Sequence, residues 1–114
     1  MIYTANFWNK DNHKGKVVSI ANSMPPQFKD MEKFDLLVPP WTIVEQLKKG
    51  SISWSTYETC YLAHISRYER SIKEFVENHE DITLCCWEKS PERCHRRLAA
   101  KYINKITNEK TAVK

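Results

Sequence analysis

Residues 82–96 read ITLCCWEKSPERCHR. The first six, Ile82 to Trp87, are apolar with β-branched residues at the start, short enough for a strand and apolar on both faces. That pattern belongs to a strand covered on each side, as in a parallel sheet. Ser90-Pro91 then opens a helix. Serine is a good N-cap and proline suits the first helical position. The helical period carries on to about Ile106, which predicts a helix over 91–106. A buried strand feeding a helix through a short polar turn is the unit of an α/β layer structure.

Working outward, residues 2–7 and 16–22 predict two further strands, with a polar turn over 8–16. Residues 27–38 are ambiguous, and FDLLV reads as a strand or a packed loop. Pro39-Pro40 predicts a helix over 41–49, with Gly50 as the residue that closes it. Ser55-Thr56-Tyr57-Glu58 has the form of a capping box, so a helix is expected to start near Ser55. Trp54, Tyr57, Tyr61, Ile65 and Tyr68 recur at three- and four-residue spacing and read as a core-facing stripe. Ile72, Phe75 and Val76 continue a helical period to about His79, either in the same helix or after a break near Ser66. The expected fold is α/β, a small single-domain layered structure over residues 1–106. A short, mostly parallel sheet is flanked by helices, and residues 107–114 form a frayed basic tail.

The chain has 114 residues, 41% apolar and 28% charged, enough for one domain with its own core. No apolar stretch approaches the roughly 20 residues of a membrane span. The N-terminus lacks a basic region followed by an apolar run, so a cytoplasmic protein is expected. With two glycines, neither a Walker loop nor a dinucleotide fingerprint occurs, and no cofactor is expected. The four cysteines, Cys60, Cys85, Cys86 and Cys94, include no C-x2-C pair and are expected as free thiols. Cys86, Cys94 and His95 together suggest a zinc site, but no fourth ligand is evident, and none is assigned. Of the net +4, residues 88–114 hold eight basic and three acidic residues, so the positive excess is C-terminal. That asymmetry points to an anionic partner or to a solvated basic helix.

On a helical wheel of about 100° per residue, His95 falls at the middle of the apolar arc made by Leu98, Ala99, Tyr102, Ile103 and Ile106. Cys94 and Arg96 fall on its flanks, with Arg97 and Lys101 turned to solvent. His95 is therefore expected to face the end of the 82–87 strand, where Glu88 emerges. A helix N-terminus with Arg96 and His95 beside it makes an anion pocket. Its expected ligand-binding residues are His95, Arg96, Ser90, Tyr57, Tyr61 and Asn22. Glu88 would orient His95 or act as a base, and Cys94 near a helix start would gain thiolate character. The plainer alternative is a buried histidine bonded to Glu88, an arginine tying down the loop, and an inert cysteine.

The pattern C-x-E-x-x-P-x-x-C-H-R at Cys86, Glu88, Pro91, Cys94, His95 and Arg96 resembles the signature of the bacterial and phage family called domain of unknown function 488. The stretch Gly50…Trp54-x-x-Tyr57-x-x-x-Tyr61 resembles that family's middle helix, and the likeness extends over most of residues 1–106. It implies a small α/β fold and a bacterial or phage setting. Many members carry an Asp-x-Arg element after the second strand; here Ser19 to Pro25 contains no arginine.

Three functions are compatible with these residues. The first is binding of a phosphorylated small ligand, most simply a nucleotide or nucleotide-derived signal, with aromatic residues to stack the base; a phage protein that sequesters a host signal would have this size. The second is an enzyme on a nucleotide or nucleic acid, with Cys94 as nucleophile or Glu88 and His95 as acid and base. The third is nucleic-acid binding through Arg93, Arg97, Lys101 and Lys105.

Overall fold

The computed structural model describes residues 1–88, 94–108 and 110–113. Strands are β1 (Ile2–Asn6), β2 (Lys16–Ser19), β3 (Glu32–Lys33), β4 (Ile82–Cys86) and β5 (Thr111–Val113). Helices are α1 (Trp41–Lys48), α2 (Trp54–Ser66), α3 (Glu69–Glu77) and α4 (His95–Thr107). The strands form one sheet in the order β3-β2-β4-β1-β5. Every pairing is parallel. The α/β class and the flanked parallel sheet expected from the sequence are what the chain adopts.

β4 lies at the centre, and all five of its residues are buried. Ile82 and Leu84 meet the larger core, built from Val18, Ile20, Tyr57, Tyr61, Ile65, Ile72, Leu98 and Ile103, with α1 packed at its border. Cys85 meets a smaller core with Ala5, Phe7 and Ala21, closed by Met24, Phe28 and Met31 from the segment after β2. Helices therefore cover one face, and a folded loop covers much of the other.

Three expectations are corrected. Residues 107–114 are not all a frayed tail: Thr111–Val113 pair with β1, and Ile2 N–H donates to the Lys110 carbonyl at 2.8 Å. A three-residue edge strand carries too little periodicity to be read from sequence. The α2 cap is Ser53, whose hydroxyl accepts from Thr56 N–H at 3.1 Å, so Ser55 sits inside the first turn. The last helix begins at His95, because Cys94 is extended (φ −120°, ψ 140°) and occupies the cap position. Ser90 and Pro91, expected as its cap and first residue, lie outside the described residues. The ambiguous stretch 27–38 becomes short 3₁₀ turns around β3, with Leu37 buried. The break near Ser66 is present, between α2 and α3. No helix among the described residues is long and apolar enough to cross a membrane.

Candidate functional site

The parallel strands β2 and β4 end side by side, and their following residues leave a gap in front of the α4 N-terminus. A cleft of about 450 Å³ opens there. Its lining comes from Ala21, Asn22 and Ser23 after β2, from Trp41, Val44, Leu47 and Lys48 on α1, and from Tyr57, Trp87, Glu88 and His95. Ligands of open α/β sheets collect at the carboxyl ends of strands, where the loops diverge. Trp41 and Trp87 are 53% and 41% exposed, so two indole faces stand at the wall of the cleft in contact with water. Trp87 is held by its indole N–H, which donates to the Ser23 carbonyl at 2.6 Å. The Lys48 ammonium lies 5.4 Å from the Trp41 ring centre.

His95 lies where the helical wheel places it, buried and facing the sheet. Its orienting partner is not Glu88. Nε2 lies 2.6 Å from the Ile20 carbonyl, just past β2. A carbonyl only accepts, so Nε2 carries the proton and Nδ1 keeps its lone pair. Burial pushes the imidazole down to about 4, so the ring is neutral at ordinary pH. Nδ1 points toward Cys94 Sγ, 3.9 Å away.

Arg96 departs from its expected place on an open flank. It is fully buried and does not line the cleft. Its Nη1 donates to the Glu88 carbonyl at 2.5 Å and to Cys86 Sγ at 3.0 Å, with Cys94 Sγ at 3.7 Å. Cys86 at the end of β4 and Glu88 just beyond it therefore cover the side that the wheel leaves open. Burial depresses the Arg96 pKa, and the neighbouring Glu88 charge works against that. Arg97 and Lys101 are exposed, as expected.

The two sulfurs of Cys86 and Cys94 are in contact, while Cys60 and Cys85 are free thiols. Glu88 Oε2 lies 3.3 Å from each of the two touching sulfurs. Cys94 itself is buried and off the cleft wall, whereas Cys86 reaches it. Burial raises the Cys85 thiol to about 12, which keeps it protonated on the opposite face of β4.

Tyr57 and Tyr61 stack along α2 with Trp54, and both are buried, in line with the core stripe. Only Tyr57 reaches the cleft. Burial, reinforced by the Glu88 charge, raises its pKa and keeps the phenol protonated. The Tyr61 hydroxyl is committed to the Leu37 carbonyl at 2.6 Å, and its ring edge meets His95. Asn22 lines the cleft while its amide donates to the Pro39 carbonyl at 3.0 Å. Sequence reasoning missed Trp41, Trp87 and Lys48. Trp87 was within reach, as a large apolar residue directly beyond a strand end, but nothing local marks α1 as the facing wall.

The family model described as the active DUF488-N3 subclade matches residues 7–107. No curated protein and no solved structure matches the chain. The match spans β2, β3 and β4, all four helices and the Cys86–Arg96 segment, and by it the chain belongs to the domain of unknown function 488 family.

Proposed function

We propose that the cleft binds a phosphorylated small ligand that carries an aromatic base, a nucleotide or nucleotide-derived signal. The observation that carries this reading is the pair of exposed indoles, Trp41 and Trp87, on a cleft that also presents Lys48. Base–aromatic stacking contributes about 1–3 kcal/mol per base, and a lysine supplies a point charge for phosphate. The volume of about 450 Å³ lies within the range of small-molecule sites. Tyr57 offers a hydroxyl donor and Glu88 an acceptor for the polar edge of a base. In the bacterial or phage setting that the family implies, such a protein would act in the cytoplasm, and tight binding without turnover would sequester a host signal.

Tryptophan fluorescence and calorimetry against a panel of nucleotides test the reading, together with mass spectrometry of small molecules that copurify. Trp41→Ala and Trp87→Ala are each expected to weaken binding by about 1–3 kcal/mol. Lys48→Ala should weaken nucleotides but not the matching nucleosides. If no member of the panel binds and nothing copurifies, the reading is overturned.

A second reading, turnover of the bound ligand, is favoured by the exposed Glu88 carboxylate beside Cys86 and His95 on the cleft wall. The matched subclade's description as active supports it too. Product formation that Glu88→Gln abolishes while binding persists would establish it. Steep salt dependence of oligonucleotide binding would instead favour the exposed row Arg97, Lys101 and Lys105.

A further inference from the structure

We propose that Cys86, Cys94 and His95, with Glu88 as the fourth ligand, hold a divalent transition-metal ion, zinc by donor chemistry, at the inner end of the cleft. The ligand atoms of Cys86, Cys94 and His95 all lie within 4.8 Å of one another, and all three residues are buried. Glu88 supplies the ligand that the linear sequence does not reveal. Its Oε2 is 3.3 Å from each sulfur, and Cys94 Sγ is 3.9 Å from His95 Nδ1. Tetrahedral zinc with Zn–S of about 2.3 Å and Zn–O or Zn–N of about 2.0 Å spaces its ligand atoms by roughly 3.5 Å. The observed S···O and S···N separations bracket that value.

The surroundings are those of a ligand set. His95 donates Nε2–H to the Ile20 carbonyl, which leaves Nδ1 as the free donor atom and fixes the ring. Metal-bound histidines are held in this way by a carbonyl or carboxylate on the other nitrogen. Arg96 donates to Cys86 Sγ and to the Glu88 carbonyl, so it positions one ligand by its side chain and another by its main chain. Two thiolates, one carboxylate, the guanidinium and a dication sum to zero charge, which suits a cluster whose cysteines, histidine and arginine are buried. Two thiolates, an imidazole and a carboxylate suit zinc better than the hard cations magnesium or calcium.

The touching sulfurs invite a different assignment, a disulfide. The Cα atoms of Cys86 and Cys94 are 7.9 Å apart. Disulfides span about 4.4–6.8 Å and cannot bridge more than about 7 Å without backbone movement. A metal bridges the wider gap, since two zinc-bound sulfurs stand about 3.8 Å apart. On binding, the two thiol protons leave to solvent and two metal–sulfur bonds form, with no oxidant needed. Cys60 and Cys85 are outside the cluster.

The full-length protein, purified under reducing conditions without chelator, is expected to carry about one zinc per chain by elemental analysis. After stripping and reloading with cobalt(II), thiolate-to-cobalt charge-transfer absorption should appear and saturate at one equivalent. Cys86→Ser and Cys94→Ser should abolish that band, and Cys60→Ser should leave it intact. Arg96→Gln should lower metal affinity by about 10–100-fold, the usual effect of losing an outer partner. Because Cys86 and Cys94 are also core residues whose replacement disturbs folding, the cobalt spectrum of the unmodified chain is the deciding measurement. Absence of a thiolate band at stoichiometric cobalt overturns the proposal. So does loss of two titratable thiols in the as-purified protein with no metal present, the signature of a disulfide. Nucleotide titrations of the chelator-stripped chain keep the two readings separate: the metal site stands or falls on stoichiometry and spectrum, the ligand cleft on binding.

Discussion

Arg96 and Arg97 are neighbours with opposite fates. Arg97 is exposed on α4, while Arg96 is fully buried and donates to Cys86 Sγ and the Glu88 carbonyl. Hydrogen bonds from a charged donor contribute about 1.5–3 kcal/mol, so Arg96→Ala is expected to lower stability by about that much in urea denaturation. Arg97→Ala should stay within about 0.5 kcal/mol, as surface substitutions usually do. Equal effects from the two would refute the buried strut. The helical wheel gave Arg96 a flank position but could not give its burial. A wheel reports azimuth on one helix, and what covers that azimuth is a separate segment of chain.

At the scale of elements, α2 tests how a helix start is chosen. The capping-box pattern in the sequence points to Ser55. The fold uses Ser53, whose hydroxyl accepts from the Thr56 N–H. Loss of a capping serine costs about 0.5–2 kcal/mol. Thermal denaturation of Ser53→Ala should show a loss in that range, and Ser55→Ala a change within about 0.5 kcal/mol. The reverse order would move the cap back to Ser55. β4 was legible because both of its faces are apolar, whereas the sequence left open whether α2 runs on into α3 or breaks near Ser66, and the fold breaks there. The two-residue β3 was not legible, since so short a strand has no period to read.

For the whole molecule, the sheet order β3-β2-β4-β1-β5 puts β1 inside the sheet and gives the last strand the edge. β5 therefore shields β1, one of the two strands paired with β4. Truncation after Asn108 would open the β1 edge, which templates pairing with other chains. Such a truncated chain is expected to have a lower urea midpoint and to self-associate under light scattering. Unchanged stability and a monodisperse solution would mean that β5 contributes nothing to the sheet. The same topology builds the cleft, because placing β2 next to β4 brings residues 21–23 to the front of Trp87, Glu88 and His95.

The sequence by itself determined the α/β class, the central buried strand read at 82–87, the inward-facing His95 and the buried tyrosine stripe of α2. Each is set by local periodicity, and periodicity survives in one dimension. Tertiary structure alone decided which atoms meet. His95 takes its orienting carbonyl from Ile20, 75 residues away, and the two cleft-lining indoles, Trp41 and Trp87, come from separate elements. Glu88 became the partner of both sulfurs instead of His95, because the end of β4 and the start of α4 meet there. Such contacts depend on strand order and loop path. Side chains a few residues apart can have their faces assigned by helical or strand period, whereas segments far apart in sequence are juxtaposed only by packing of the whole chain.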